Sequence, residues 1–73
     1  MNNAKFYIDV IIPLPLKGLF TYSIDQDINI GQRVIVQFGV RKIYTAIVYS
    51  IHNNKPKDYK VKSVLAVLDE LPI

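Results

Sequence analysis

Residues 33–52 read RVIVQFGVRKIYTAIVYSIH. Over the opening part, Val34, Val36 and Phe38 alternate with Arg33, Ile35 and Gln37, the period of two that marks a half-buried strand. Gly39-Val40-Arg41 follows, a short connection whose glycine can take a positive φ. Alternation then resumes from Lys42 to His52 with apolar side chains on both faces, Ile43, Ile47, Tyr49 and Ile51 on one and Tyr44, Ala46 and Val48 on the other. A strand with two apolar faces belongs in the middle of a sheet, or curls round a small barrel. The stretch is expected to form a hairpin whose second strand is central.

The same period extends upstream. Residues 5–12 place Phe6, Ile8, Val10 and Ile12 on one side and Tyr7, Asp9 and Ile11 on the other. Pro13-Leu14-Pro15 ends that strand, because neither proline can donate to a ladder. Residues 19–24 set Phe20, Tyr22 and Ile24 against Leu19, Thr21 and Ser23, and Asp25-Gln26-Asp27 closes them as a polar turn. Downstream, residues 53–59 are polar and lysine-bearing, with Pro56 inside, and read as the longest loop. A fifth strand is expected over residues 61–68, after which Asp69 to Ile73 break the alternation, as suits an exit into a following segment. No helix-period stretch and no repeat interrupts this pattern. The expected fold is all-β, a small, partly open antiparallel β-barrel of about five strands, forming one domain over residues 1–73.

Composition agrees with a packed domain: 51% of the 73 residues are hydrophobic and 21% charged. With no cysteine and one histidine, disulfides, cysteine zinc sites and histidine clusters are excluded from the segment. The apolar run from Val10 to Ile12 is too short for a signal peptide or a membrane span, so no membrane contact is expected. Nine Lys plus Arg against six Asp plus Glu give a net charge of +3, which favours a polyanionic partner without identifying one. Lys55, Lys57, Lys60 and Lys62 cluster while the acids are scattered; such a patch is either a solvated loop or a phosphate-facing surface.

Catalytic patterns are missing. There is no phosphate-binding glycine loop ending in Lys-Ser/Thr, no nucleophile elbow and no obvious carboxylate pair. His52, beside Asn53, shows no partner and reads as a solvent-exposed residue rather than a general base. The chain is expected to bind rather than catalyse.

Aromatic, glycine and basic residues gather at strand ends in three pieces, PLPLKGLFTY from Pro13, GQRVIVQFG from Gly31 and VKSVLAVLD from Val61. In their order and spacing these resemble the opening segment of the PriA family of primosomal replication-restart helicases. Pro13, Pro15, Phe20, Tyr22, Gly31, Arg33, Val34, Val36, Phe38, Gly39, Lys62, Val67, Leu68 and Asp69 fit its pattern. The resemblance covers residues 6–70. It implies a 3′ DNA-binding domain that captures the 3′-terminal nucleotide of nascent DNA at a stalled fork, without sequence preference. Phe20, Thr21, Gly39 and Lys62 match the family's terminal-nucleotide pocket, and Lys17, Arg33, Arg41 and Lys42 are candidate backbone-phosphate contacts.

The chemistry of these residue types agrees. An aromatic face stacks on any base, a glycine lets backbone approach a ribose, and an ammonium group closes over a base or neutralises a phosphate. Taken alone, Phe20 and Tyr22 also read as core, Gly39 as a hairpin glycine and Lys62 as a surface lysine. Beside the resemblance, binding is the better reading for Phe20, Gly39 and Lys62, and core for Tyr22 and Phe38.

Two positions depart from the pattern. Thr21 stands where the family often has aspartate, exchanging a pure acceptor for a hydroxyl that also donates. Gln37 replaces a proline common before F-G and is expected to relax the hairpin. The resemblance further implies helicase, winged-helix and zinc-binding parts elsewhere in a longer protein, with ATP, magnesium and zinc as cofactors there and none in this segment. It also implies primosome proteins and single-strand DNA-binding protein as partners of the whole, and a bacterial cytoplasmic location. Two other classes stay open on the residues themselves: a protein-interaction barrel and a general single-strand nucleic-acid binder.

Overall fold

The computed structural model describes residues 6–15, 18–56 and 60–68. Every regular element among them is a strand: β1 Phe6–Ile11, β2 Phe20–Ile24, β3 Arg33–Phe38, β4 Lys42–His52, β5 Lys62–Ser63 and β6 Ala66–Val67. Where apolar and polar residues alternate cleanly, strand limits fall within a residue or two of the expected ones. The sheet order is β5-β2-β1-β4-β3-β6. β4 pairs with β1 on one side and β3 on the other, the central place its two apolar faces demand. The β3–β4 hairpin turns between Phe38 and Lys42, which face each other, and Gly39 takes φ +82° there.

The inward faces bring together Ile8, Val10 and Ile12 from the first strand and its exit, Tyr22 and Ile24 from β2, Val34 and Val36 from β3, and Ala46 and Val48 from β4. Ile8, Val10, Val34, Val36 and Val48 are the largest fully buried side chains. Each contributes on the order of 1.5–3 kcal/mol through removal of apolar surface from water. The all-β, partly open barrel expected from the sequence is therefore present, with one difference at its end.

Residues 61–68 do not form a single antiparallel strand. Lys62 and Ser63 run parallel to β2, opposite Tyr22 and Ser23. Two residues later Ala66 and Val67 run antiparallel to β3, opposite Ile35 and Val34. In between, the Val64 amide donates to the Ser23 carbonyl (2.9 Å) and the Leu65 amide to that of Ile35 (2.8 Å). Since β2 and β3 are the two outer strands of the four-stranded sheet, this segment spans from one edge to the other and curls the sheet closed. The gap holds one chain running across it, so that chain gives its hydrogen bonds to each edge in turn, and each strand is only two residues long. Alternation along the segment is blind to this division. Beyond it, the Leu68 amide donates to the Arg33 carbonyl (3.0 Å), and the Gln32 side-chain amide to the Leu68 carbonyl (3.3 Å).

A second difference lies inside β4. Asp9 faces Ser50, but Val10 faces Val48, so Tyr49 is an extra residue on β4, a β-bulge. Before it, Tyr44, Ala46 and Val48 point inward; after it the phase is reversed. Ile51, expected beside Ile43, Ile47 and Tyr49, instead packs against the core. Ser50 and His52 swing to the outer face, where the Asp9 carboxylate accepts three bonds: from the Thr21 hydroxyl (2.7 Å), the Ser50 hydroxyl (2.9 Å) and His52 Nε2 (3.0 Å).

His52 is thus not the exposed, partnerless residue expected. Its Nδ1 accepts the Asn54 amide (3.1 Å), which assigns the remaining ring proton to Nε2, facing the carboxylate. Burial raises the Asp9 pKa, but the hydrogen bonds from His52, Thr21 and Ser50 outweigh it and hold the carboxyl below its ordinary value. A carboxyl lowered by folding contributes stability that is complete above the unfolded pKa, about 3.9, and is lost as pH falls through the folded value.

Asp9→Asn is expected to lower stability by about 1–3 kcal/mol at neutral pH. Denaturant titrations should show that deficit constant from about pH 5 to 7 and shrinking below about pH 4, as wild type loses its charged acceptor. Tyr22 is buried, and its hydroxyl donates to the Gln37 carbonyl across the closing gap (2.7 Å). Tyr22→Phe keeps the ring and removes that bond; an expected loss of about 1 kcal/mol should lower the melting temperature by about 4–8 °C.

Candidate functional site

Closure is incomplete at one end. The crossing segment reaches β2 at Tyr22 and Ser23 and β3 at Val34 and Ile35, leaving the start of β2 and the end of β3 without a strand between them. There the walls are joined by the Tyr22 hydroxyl bond and by the rings of Phe20 and Phe38, packed edge to face at 4.7 Å between centroids and 69° between planes. A cavity of about 360 Å³ opens at this point, lined by Phe20, Thr21, Tyr22, Gln37, Phe38, Gly39, Lys60 and Lys62.

Phe20, Thr21, Gly39 and Lys62, the four residues expected from the sequence, therefore line one cavity. Phe20 is half-buried, backed by Phe38, whose ring lies 6.5 Å from that of Tyr44. A half-buried ring fixed by a neighbouring ring is a preorganised aromatic surface. Lys62 is exposed on β5, and its ammonium reaches across to the Gly39 carbonyl (3.4 Å). Gly39 is required by its backbone rather than by crowding: a Cβ there would meet nothing within 4 Å, but φ +82° disfavours any other residue.

Thr21 is among the lining residues, but its hydroxyl lies on the outer face of the sheet, where it donates to Asp9. Gln37, expected to relax the hairpin, ties it: its amide donates to the carbonyls of Val40 (2.9 Å) and Gly39 (3.4 Å). Tyr22 is core as expected, while Phe38, also assigned to the core, has part of its ring at the cavity wall.

The candidate phosphate contacts fare differently. Lys17 lies outside the described residues. Arg33 sits at the far end of β3 from Phe38, and Arg41 and Lys42 are exposed on the hairpin; none of the three lines the cavity. Lys60 does, and it was marked only as part of the lysine cluster. Its spacing of two from Lys62 was the available signal, because residues two apart on an extended chain point the same way. Among the described residues, none that lines the cavity is acidic. The arrangement combines an aromatic surface, a glycine turn and two ammonium groups, which suits holding an anionic, ring-bearing ligand.

Comparison with known proteins agrees with this geometry. The family model of the PriA 3′DNA-binding domain (3′BD) matches residues 9–73. The replication restart protein PriA of Haemophilus influenzae is 33% identical over 69 residues, a stretch covering 90% of this chain and 9% of that protein. No solved structure matches. The chain belongs to the PriA 3′DNA-binding domain family.

Proposed function

We propose that this domain binds the 3′ end of nascent DNA at stalled forks, independently of sequence, as the amino-terminal module of a replication-restart helicase. The observation that carries this reading is the convergence of Phe20, Gly39 and Lys62 on one cavity. A terminal base stacks on Phe20, the sugar lies against the Gly39 turn, and Lys62 covers the nucleotide or meets its phosphate. Thr21 meets the terminal sugar through its backbone rather than its hydroxyl. A strand that continued past the terminal sugar would run into the hairpin wall, which selects ends over internal segments. Lys17, Arg33, Arg41 and Lys42 then serve as outlying contacts to more distant phosphates. In this reading ATP, magnesium and zinc belong to other segments of a longer protein, as do contacts with primosome proteins and single-strand DNA-binding protein.

A second reading has its own observation. Ile11, Ile43, Ile47 and Tyr49 are all exposed on the outer face of β1 and β4, and this supports a surface that packs on another protein. The two are separable by salt, since an apolar contact is insensitive to it.

Phe20→Ala is expected to weaken binding of an oligonucleotide with a free 3′ hydroxyl by about 5- to 100-fold, the worth of one stacked base. Lys62→Ala should act in the same direction. Neither should change the residual binding of the same oligonucleotide carrying a 3′ phosphate; equal losses on both by fluorescence anisotropy would refute end recognition. Each phosphate neutralised on a single strand adds about −0.7 to the slope of log K against log salt, so Lys62→Ala should make that slope shallower by about 0.7.

A further inference from the structure

Beside the end cavity lies a second, of about 520 Å³, lined by Gln37, Lys60, Val61, Lys62, Ser63 and Leu65. The two share Gln37, Lys60 and Lys62, so the lysines form a sill between them. We propose that the second cavity is a subsite for the nucleotide immediately 5′ of the terminal one, with the phosphodiester that joins them lying on the Lys60–Lys62 sill. This rests on the end-binding reading and adds a path for the strand.

Size and chemistry both fit. The volume falls within the roughly 300–1,000 Å³ of small-ligand sites. Its lining is cationic at the sill, and none of the described residues there is acidic. Leu65 is 53% exposed, an apolar ledge for a sugar or the face of a base. A lone exposed leucine means little, but this one is held rigidly, its amide bonded to the Ile35 carbonyl while its neighbour Val64 packs on the core. The Ser63 hydroxyl lies 3.2 Å from that of Ser23 and retains bonding capacity for a phosphate oxygen or sugar hydroxyl. The Gln37 side-chain NH2 is occupied by the Gly39 and Val40 carbonyls, which leaves only its oxygen to meet a base edge.

The test titrates this 73-residue chain with thymidine 5′-monophosphate, the dinucleotide pTpT and the trinucleotide pTpTpT, followed by amide NMR shifts. The dinucleotide should bind roughly tenfold more tightly than the mononucleotide, and the third nucleotide should add no more than about threefold. Ser63 and Leu65 amides should move with pTpT and stay still with the mononucleotide. Leu65→Asp should erase the dinucleotide gain and leave mononucleotide affinity within about twofold; Leu65→Ala, a milder change, should halve the gain. Equal affinity of wild type for the two shorter ligands overturns the subsite and leaves end binding standing. A Leu65→Asp variant that keeps the gain, or that loses both ligands while still folded, also overturns it. Failure of wild type to bind any of the three overturns the end-binding reading together with the subsite.

Discussion

A four-stranded sheet has two edges, and each edge is a row of backbone groups wanting partners. In this domain one short length of chain, from Lys62 to Val67, serves both edges, and the rest of the structure follows from that economy. Two residues on each side suffice to curl the sheet into a barrel around Val10, Val34, Val36 and Val48. They are too few to seal its whole length. The cavity is the unsealed part, and the residues beside it come from the three places that closure brings together: the start of β2, the hairpin after β3, and the crossing segment itself.

This origin explains why the cavity has the character it has. Residues at a seam between strands keep their inward alternation, so Phe20, Tyr22 and Phe38 present aromatic surface there. The crossing segment runs over the outside of the gap and carries lysines, which a solvated strand of two residues accepts without cost to the core. Apolar floor and cationic rim are thus placed by the same topology, with Asp9, the nearest strand-borne acid on β1, turned to the opposite face of the sheet and occupied by three donors.

Much of this was legible in the sequence. Strict alternation placed β1 to β4 because a period of two is visible residue by residue, and Gly39 announced the hairpin through the backbone it permits. Convergence of Phe20, Gly39 and Lys62 was legible only through resemblance to a known family, since residues this far apart in the chain have no local signal of proximity. The bulge at Tyr49 was not legible: β4 is apolar on both faces, so nothing in its pattern marks where the phase reverses. His52 and Ile51 were misplaced for that one reason, and with them the Asp9 cluster. Division of the last strand was hidden because alternation reports which face a residue takes and not which neighbour it pairs with.

The Tyr22 phenol, bonded at 2.7 Å to the Gln37 carbonyl, behaves as a strut of fixed length between the two walls. A ring and one short bond neither stretch nor fold, so the width between β2 and β3 is set before anything arrives. A guest then meets a slot already cut to gauge and loses little of its affinity to rearranging the host.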